Sequence, residues 1–302
     1  MLVEKNGKIS LTYDLCPRPG GRRGFTLLEV LVVVGIVSIL TAISLPVLTK
    51  VRRCAGQLEC MQNQRQIVAA VNLFAGDNEG RYPESVATIG RSQWCWDEPT
   101  LLTGYDIRSP GLHRAVSEYL GSYIRDASIM VCPNAPRQYK YLQQAWDAGD
   151  GWQHPECPPR PDPLYGSYCF FWNYVGYLSR SEVFKGPRGA AYNRTRSTLL
   201  VSDYFGYDHW KSRGSFGSSE IFKGANVTEE SLISLPFWYR PAGGCGGSAG
   251  LQVRLHAGYA DGHVATFGSG DVVAMLVSTT PDGKSPNMIS PGVFFLPEES
   301  LP

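Results

Sequence analysis

Between Phe25 and Leu48 the chain carries apolar and small residues throughout, and Glu29 is the only charge. A run of about 20 such residues is long enough to span a bilayer as a helix. Past it, Val51, Cys54, Leu58, Met61, Val68, Val71 and Ala75 recur mostly three or four residues apart, which predicts an amphipathic continuation with one face toward a core. Gln57, Gln62, Asn63, Gln66 and Asn72 fall on the other faces, and the pattern stops at Gly76-Asp77-Asn78-Glu79-Gly80. One helix from Phe25 to about Ala75 would be roughly 75 Å long at 1.5 Å per residue. Pro46 removes a backbone donor within it and predicts a local kink or loosening. Gly35, Ser38, Thr41 and Ser44 are small enough to line a helix contact in a membrane, although small residues are also simply tolerated there.

From Arg81 onward the chain is rich in Gly, Pro and aromatic residues, which predicts short strands and many turns. Strands are expected around Ala127 to Val131, Ser167 to Tyr174, Ser197 to Asp203, Leu251 to Tyr259 and His263 to Phe267, with a weaker helix from Leu112 to Arg125. Gln153 to Pro163, with five prolines, reads as an ordered surface loop. The expected class is α+β, a long N-terminal helix packed on an antiparallel sheet with loop-rich insertions. It divides into a leader over 1–24, a transmembrane helix over 25–48, its amphipathic continuation over 49–76, and a globular domain over 77–302.

Glu29 needs an explanation, because an ionisable group inside a membrane-length segment costs roughly 2.5 to 3.5 kcal/mol even on the gentler scales. Cleavage between Gly24 and Phe25 would free an ammonium on Phe25, one helical turn before Glu29, where i and i+4 groups share a face. An ordinary secretory signal has an apolar core of only about 7 to 15 residues, and a plain signal anchor leaves the carboxylate unexplained. Gly24-Phe25-Thr26-Leu27-Leu28-Glu29, behind Arg22-Arg23, resembles the class III signal of type IV prepilins and type II secretion pseudopilins. That resemblance implies cleavage after Gly24 and N-methylation of Phe25 by a prepilin peptidase, with Glu29 serving assembly. It also implies other pilin or pseudopilin subunits and an inner-membrane assembly platform as partners. The precursor would be a single-pass inner-membrane protein, later a periplasmic or cell-surface filament subunit. The net charge is +1 over the full chain, and residues 1–24 carry five of the basic side chains against two acidic ones. The processed chain is therefore slightly acidic, and no nucleic-acid partner is expected.

Near the C-terminus, Asp261-Gly262 lies between two alternating apolar runs, a hairpin signal that predicts a type I′ turn with positive φ at both residues. Ala260-Asp261-Gly262-His263-Val264 also resembles the ending of the H-X9-DG signature of environmental bacterial prepilin-like proteins. Only four residues separate His256 from Asp261 here, a departure from that spacing. Cys132-Pro133, Asn173 within Tyr168 to Tyr174, and Leu199 to Asp203 are similar to further pieces of such proteins. His256, His263, Asp261 and Asp203 are residue types that ligate zinc. Asp97, Asp106, Asp203, Asp208 and Glu220 are scattered oxygen donors for calcium, without a recognisable loop. Turn aspartates mostly bond their own backbone, so neither metal nor cofactor is expected.

Of eight cysteines, Cys16 lies in the leader. Cys54 and Cys60 are about 9 Å apart along a straight helix axis and cannot bridge each other. Cys95, Cys132, Cys157, Cys169 and Cys245 form the expected pool for disulfides, with pairings open. Trp94-Cys95-Trp96, Trp152, Phe170-Phe171-Trp172, Tyr204-Phe205 and Phe237-Trp238-Tyr239 serve either a core or a contact surface. Asn193-Arg194-Thr195 and Asn226-Val227-Thr228 match glycosylation sequons by chance. No His-Glu-x-x-His is present, and no catalytic role is expected. The expected function is that of a filament subunit; the alternative is a membrane-tethered glycan-binding module, adhesin or envelope enzyme that uses the same signal.

Overall fold

The computed structural model describes residues 25–87, 99–104, 112–134, 140–155, 164–178, 183–191, 193–207, 215–217, 254–268, 270–276 and 293–301. The chain divides into two units, Met1–Lys50 and Val51–Pro302. Helix α1 spans Leu27–Asp77, 51 residues, close to the extent that the apolar run and its continuation predict. Pro46 lies inside it and the helix continues on both sides.

Within the second unit, α1 buries Gln57, Cys60, Gln64, Ile67, Val71 and Ala75, a stripe at three- and four-residue steps. This corrects the predicted core face. Val51, Cys54 and Leu58 are exposed, whereas Gln57 and Asn63 are buried. The reason is that amide N–H groups on α1 donate to backbone carbonyls of the globular part, so burying them leaves those donors paired. Asn63 Nδ2 donates to the Val131 carbonyl at 3.2 Å, and Asn72 Nδ2 to that of Ala260 at 3.0 Å.

The described strands are β1 (Leu101–Thr103), β2 (Leu164–Tyr165), β3 (Tyr168–Phe170), β4 (Val175–Tyr177), β5 (Val183–Lys185), β6 (Leu199–Asp203), β7 (Phe205–Tyr207), β8 (Ser215–Gly217), β9 (Arg254–Tyr259), β10 (Val264–Gly268), β11 (Val272–Leu276) and β12 (Val293–Pro297). They form a four-stranded sheet in the order β10-β9-β6-β3, a six-stranded sheet β5-β4-β11-β12-β7-β8, and the pair β1-β2. Every one of these pairings is antiparallel, and the class is α+β as expected. The four-stranded sheet receives α1 where side chains are smallest. A Cβ on Gly258 of β9 would stand 2.9 Å from Val68 Cγ2 on α1 and 3.0 Å from Val201 Cγ1 on β6, closer than ordinary packing allows.

Three predicted elements differ. Ala127–Met130 is a 3-10 turn rather than a strand, because Asp126 caps it by accepting from the Ser128 N–H at 2.9 Å. The helix expected over 112–125 shrinks to α2, Val116–Leu120. The strand expected over 167–174 ends at Phe170, because Asn173 takes φ 55° and its Nδ2 donates to the Tyr82 and Pro83 carbonyls. A short helix α3, Leu142–Ala148, has no counterpart among the predicted elements. Among the described aromatics, Trp152, Phe170, Phe171, Trp172 and Tyr204 are buried and serve the core. Trp94, Trp96, Phe237, Trp238 and Tyr239 lie outside the described residues, as do the sequon Asn226 to Thr228 and most of the proline-rich loop.

A disulfide joins Cys60 on α1 to Cys132, with a sequence separation of 72 residues. Cys60 therefore belongs in the bridging pool from which its helical position had removed it. The pair is available because Cys60 faces the core, not Cys54. Cys169 is buried, and Cys54 is free and exposed; Cys16, Cys95, Cys157 and Cys245 lie outside the described residues.

Candidate functional site

The start of α1 is built from its own first turn. Thr26 immediately precedes the helix; its Oγ1 accepts from the Glu29 N–H at 3.2 Å, while Glu29 Oε2 accepts from the Thr26 N–H and hydroxyl, each at 2.8 Å. This reciprocal pattern is a capping box, which satisfies two backbone donors that a helix start leaves open. Sequence reasoning that pairs Glu29 only with an amine on Phe25 misses Thr26, although Thr-x-x-Glu is a readable signature. Phe25 is 82% exposed, and Gly24 lies outside the described residues. Phe25 and Glu29 are four residues apart, so a new amine on Phe25 would arise beside a carboxylate already held in place by Thr26.

The segment that follows exposes apolar side chains on all sides, from Leu27 and Leu28 through Leu48, as a buried soluble helix would not. It is long and apolar enough to cross a membrane. Its hydroxyls are hidden: Ser38, Thr41 and Ser44 donate to the carbonyls of Val34, Val37 and Leu40 at 2.7 to 2.9 Å. Side chains bonded back to their own helix leave no polar group bare toward lipid.

The C-terminal candidates fall into two separate places. Strands β9 and β10 pair from Arg254↔Gly268 to Gly258↔Val264, and a short loop joins them. Its Gly262 N–H donates to the Tyr259 carbonyl at 2.9 Å, and the Tyr259 N–H to the His263 carbonyl at 3.0 Å. Positive φ occurs at Gly262 (95°) but not at Asp261. The predicted type I′ turn is thus corrected to a type I turn closed by a glycine bulge, a geometry that short hairpin loops favour. Asp261 Oδ1 accepts from the His263 N–H at 3.1 Å and meets His263 Nδ1 at 2.6 Å, and the His263 ring stacks on Tyr259 at 4.5 Å. Burial works against the Asp261 carboxylate, but the His263 backbone and ring outweigh it and hold its pKa below the usual value.

His256 and Asp203 are instead buried beneath α1. Asp203 Oδ1 accepts from Gln64 Nε2 at 2.8 Å and its Oδ2 from the His256 N–H at 2.9 Å, while Gln64 Nε2 also reaches the His256 carbonyl at 3.2 Å. His256 Nδ1 meets Thr266 Oγ1 at 2.8 Å across the hairpin. The four zinc-type residues are therefore split between an exposed turn and a buried lock, and no group of three or more His, Cys, Asp or Glu able to hold a metal occurs among the described residues. Of the calcium candidates only Asp203 is described; Asp97, Asp106, Asp208 and Glu220 lie outside the described residues. Gln64 escapes sequence reasoning because an amide on a helix reads as a solvent-facing residue.

Residues 20–45 match the model of the prokaryotic N-terminal methylation motif. No curated protein and no solved structure matches the chain. The match covers Gly24, Phe25, the capping box and most of the exposed apolar segment. It supports a prepilin-type signal and a membrane-anchored precursor.

Proposed function

We propose that this chain is a subunit of a type IV pilus-like or type II secretion pseudopilus-like filament, cut between Gly24 and Phe25 by a prepilin peptidase and N-methylated on Phe25. The observation that carries this reading is the coincidence of the methylation motif over 20–45 with a helix whose Thr26–Glu29 box presents a carboxylate one turn after Phe25. The apolar segment stores the subunit in the inner membrane. In the filament, Glu29 takes a neighbouring subunit's Phe25 amine as its partner, where low dielectric makes an unpaired charge costly. The globular part supplies surface and carries no catalysis of its own, and its Ala260 to Val264 hairpin is that of the H-X9-DG prepilin-like proteins. Residues 1–24 are the leader, 25–48 the membrane segment, 49–76 its continuation and 77–302 the exported domain.

Processing tests the reading directly. Only a residue without a side chain leaves the peptidase free to approach the backbone at position 24, so Gly24→Val accumulates uncut precursor. Intact-mass analysis of the membrane-extracted wild type should give a chain beginning at methylated Phe25, and mass spectrometry of sheared surface filaments should contain it. Any other N-terminus removes the basis of the reading.

A further inference from the structure

A cleft of about 610 Å³ opens between three stretches of chain beside the turn that follows α1, lined by Arg81, Arg188, Ala190, Asn193, Arg196 and Asp261 among others. Its walls are held by backbone hydrogen bonds between separate segments. The Tyr82 N–H donates to the Arg188 carbonyl at 2.9 Å, the Ala190 N–H to that of Gly80 at 3.1 Å, and the Ala260 N–H to that of Thr198 at 2.9 Å. Asn193 shapes the rim by an Asx turn, accepting from the Thr195 N–H and hydroxyl at 2.9 and 2.8 Å. Such a cleft is formed before any ligand arrives, which lowers the ordering cost of binding, and its volume falls within the range of small-molecule sites, about 300 to 1,000 Å³.

Its charge is unbalanced. Arg196 is fixed through Nη1 to the Gly186 carbonyl at 2.8 Å, which aims the rest of its guanidinium fork without neutralising it. Burial, and after it the neighbouring Arg188 cation, lower its pKa. No carboxylate pairs with Arg188 or Arg196 among the described residues. Asp261, also in the lining, is already engaged by His263, and Arg81 has Glu79 at 3.1 Å. Arg188 is exposed and Arg196 half-buried at this cleft, neither is neutralised by a described carboxylate, and guanidinium forks meet carboxylate and phosphate oxygens in a bidentate fashion.

We propose that this cleft binds a small oxyanion-bearing ligand of sugar size, its carboxylate or phosphate held by Arg188 and Arg196 and its neutral body lying along Ala190 and Asn193. A uronic acid and a sugar phosphate share this chemistry. Calorimetry on the full chain in detergent, with glucuronic acid, glucose 6-phosphate, inorganic phosphate and glucose as probes, tests it. Binding of glucuronic acid or glucose 6-phosphate at least tenfold tighter than of glucose, weakening as salt rises, is the expected result; which of the two binds tighter identifies the source of the anion. Arg188→Gln and Arg196→Gln should each weaken that binding at least tenfold. Arg188 supports the fold through its backbone carbonyl, so Arg188→Gln keeps its melting temperature and reports on binding even where Arg196→Gln loosens the Gly186 contact. Inorganic phosphate binding as tightly as the sugars, glucose binding as well as its charged relatives, no binding of any probe, or undiminished binding in Arg188→Gln would each overturn the proposal.

Discussion

Gln64 on α1 donates through Nε2 to Asp203 Oδ1 at the end of β6, 2.8 Å away across 139 residues of sequence. Both side chains are buried, Gln64 fully and Asp203 to 1% exposure. The bond therefore ties the helix to the sheet through groups that water cannot rescue. Removing one member of such a pair leaves the other unsatisfied, at about 1 to 3 kcal/mol.

Gln64→Leu should accordingly lower the thermal midpoint of the globular unit by a loss of that size. Asp203→Asn should cost at least as much, because its new N–H2 would face either Gln64 Nε2 or the His256 N–H, both donors. The Gln64→Leu, Asp203→Leu double variant should lose less than the sum of the single replacements, the mark of two residues in one network. Circular dichroism melts of these proteins give the comparison, and strict additivity would show that the two residues are not coupled.

The Cys60–Cys132 bridge closes a long loop between α1 and the turn after the Ala127–Met130 segment. By the chain-entropy relation a loop of this length contributes about 4 kcal/mol. Cys132→Ser should lower denaturant stability by an amount of that order, and reductant should destabilise the wild type by that much more than it does the variant. Reductant-insensitive stability of the wild type would mean that the thiols are not bridged in solution.

At the β9–β10 hairpin the relevant strain is in the backbone. Gly262 has φ 95°, and a Cβ there would meet nothing within 4 Å. Gly262→Val should thus destabilise through conformation alone, by about 1 to 3 kcal/mol. Gly262→Asn should be milder, since asparagine tolerates the left-handed region better. His263→Ala removes an exposed hydrogen bond to Asp261 and should change stability by less than about 1 kcal/mol. Equal melts for Gly262→Val and His263→Ala would contradict this assignment of the turn.

What the sequence makes legible is local. The extent of α1 follows from an apolar run and a terminating Gly76 to Gly80, and the hairpin from Asp261-Gly262 between alternating strands. Periodicity misplaces the inner face of α1 at Val51, Leu58, Gln57 and Asn63, because it ranks residues by polarity. An amide that meets a buried carboxylate or carbonyl from a distant strand looks the same in one dimension as one that meets water. Cys60 with Cys132, and Arg188 with Arg196 beside the Gly80 turn, are juxtapositions made by tertiary folding that no spacing encodes. Ala127 to Val131 has strand composition, yet one side chain, Asp126, turns it into a 3-10 segment.

The capping box gives Glu29 two roles, and different substitutions separate them. Glu29→Gln retains a side-chain oxygen for the Thr26 N–H, since glutamine also completes a capping box, but abolishes the charge. Glu29→Val abolishes both and makes the segment more apolar. If Glu29 acts only as a cap, Glu29→Gln should behave as wild type in every assay. If it is the partner of a neighbour's Phe25 amine, both variants should insert and be cut, yet both should fail to enter filaments. A buried ion pair broken on one side costs about 3 to 5 kcal/mol, far more than a cap, worth about 1 kcal/mol. Probing membrane fractions and sheared filaments from cells that express each variant beside wild type distinguishes the outcomes. Incorporation of Glu29→Gln at the wild-type level would remove the charge from the assembly mechanism and leave Glu29 as a helix-starting residue in a correctly processed subunit.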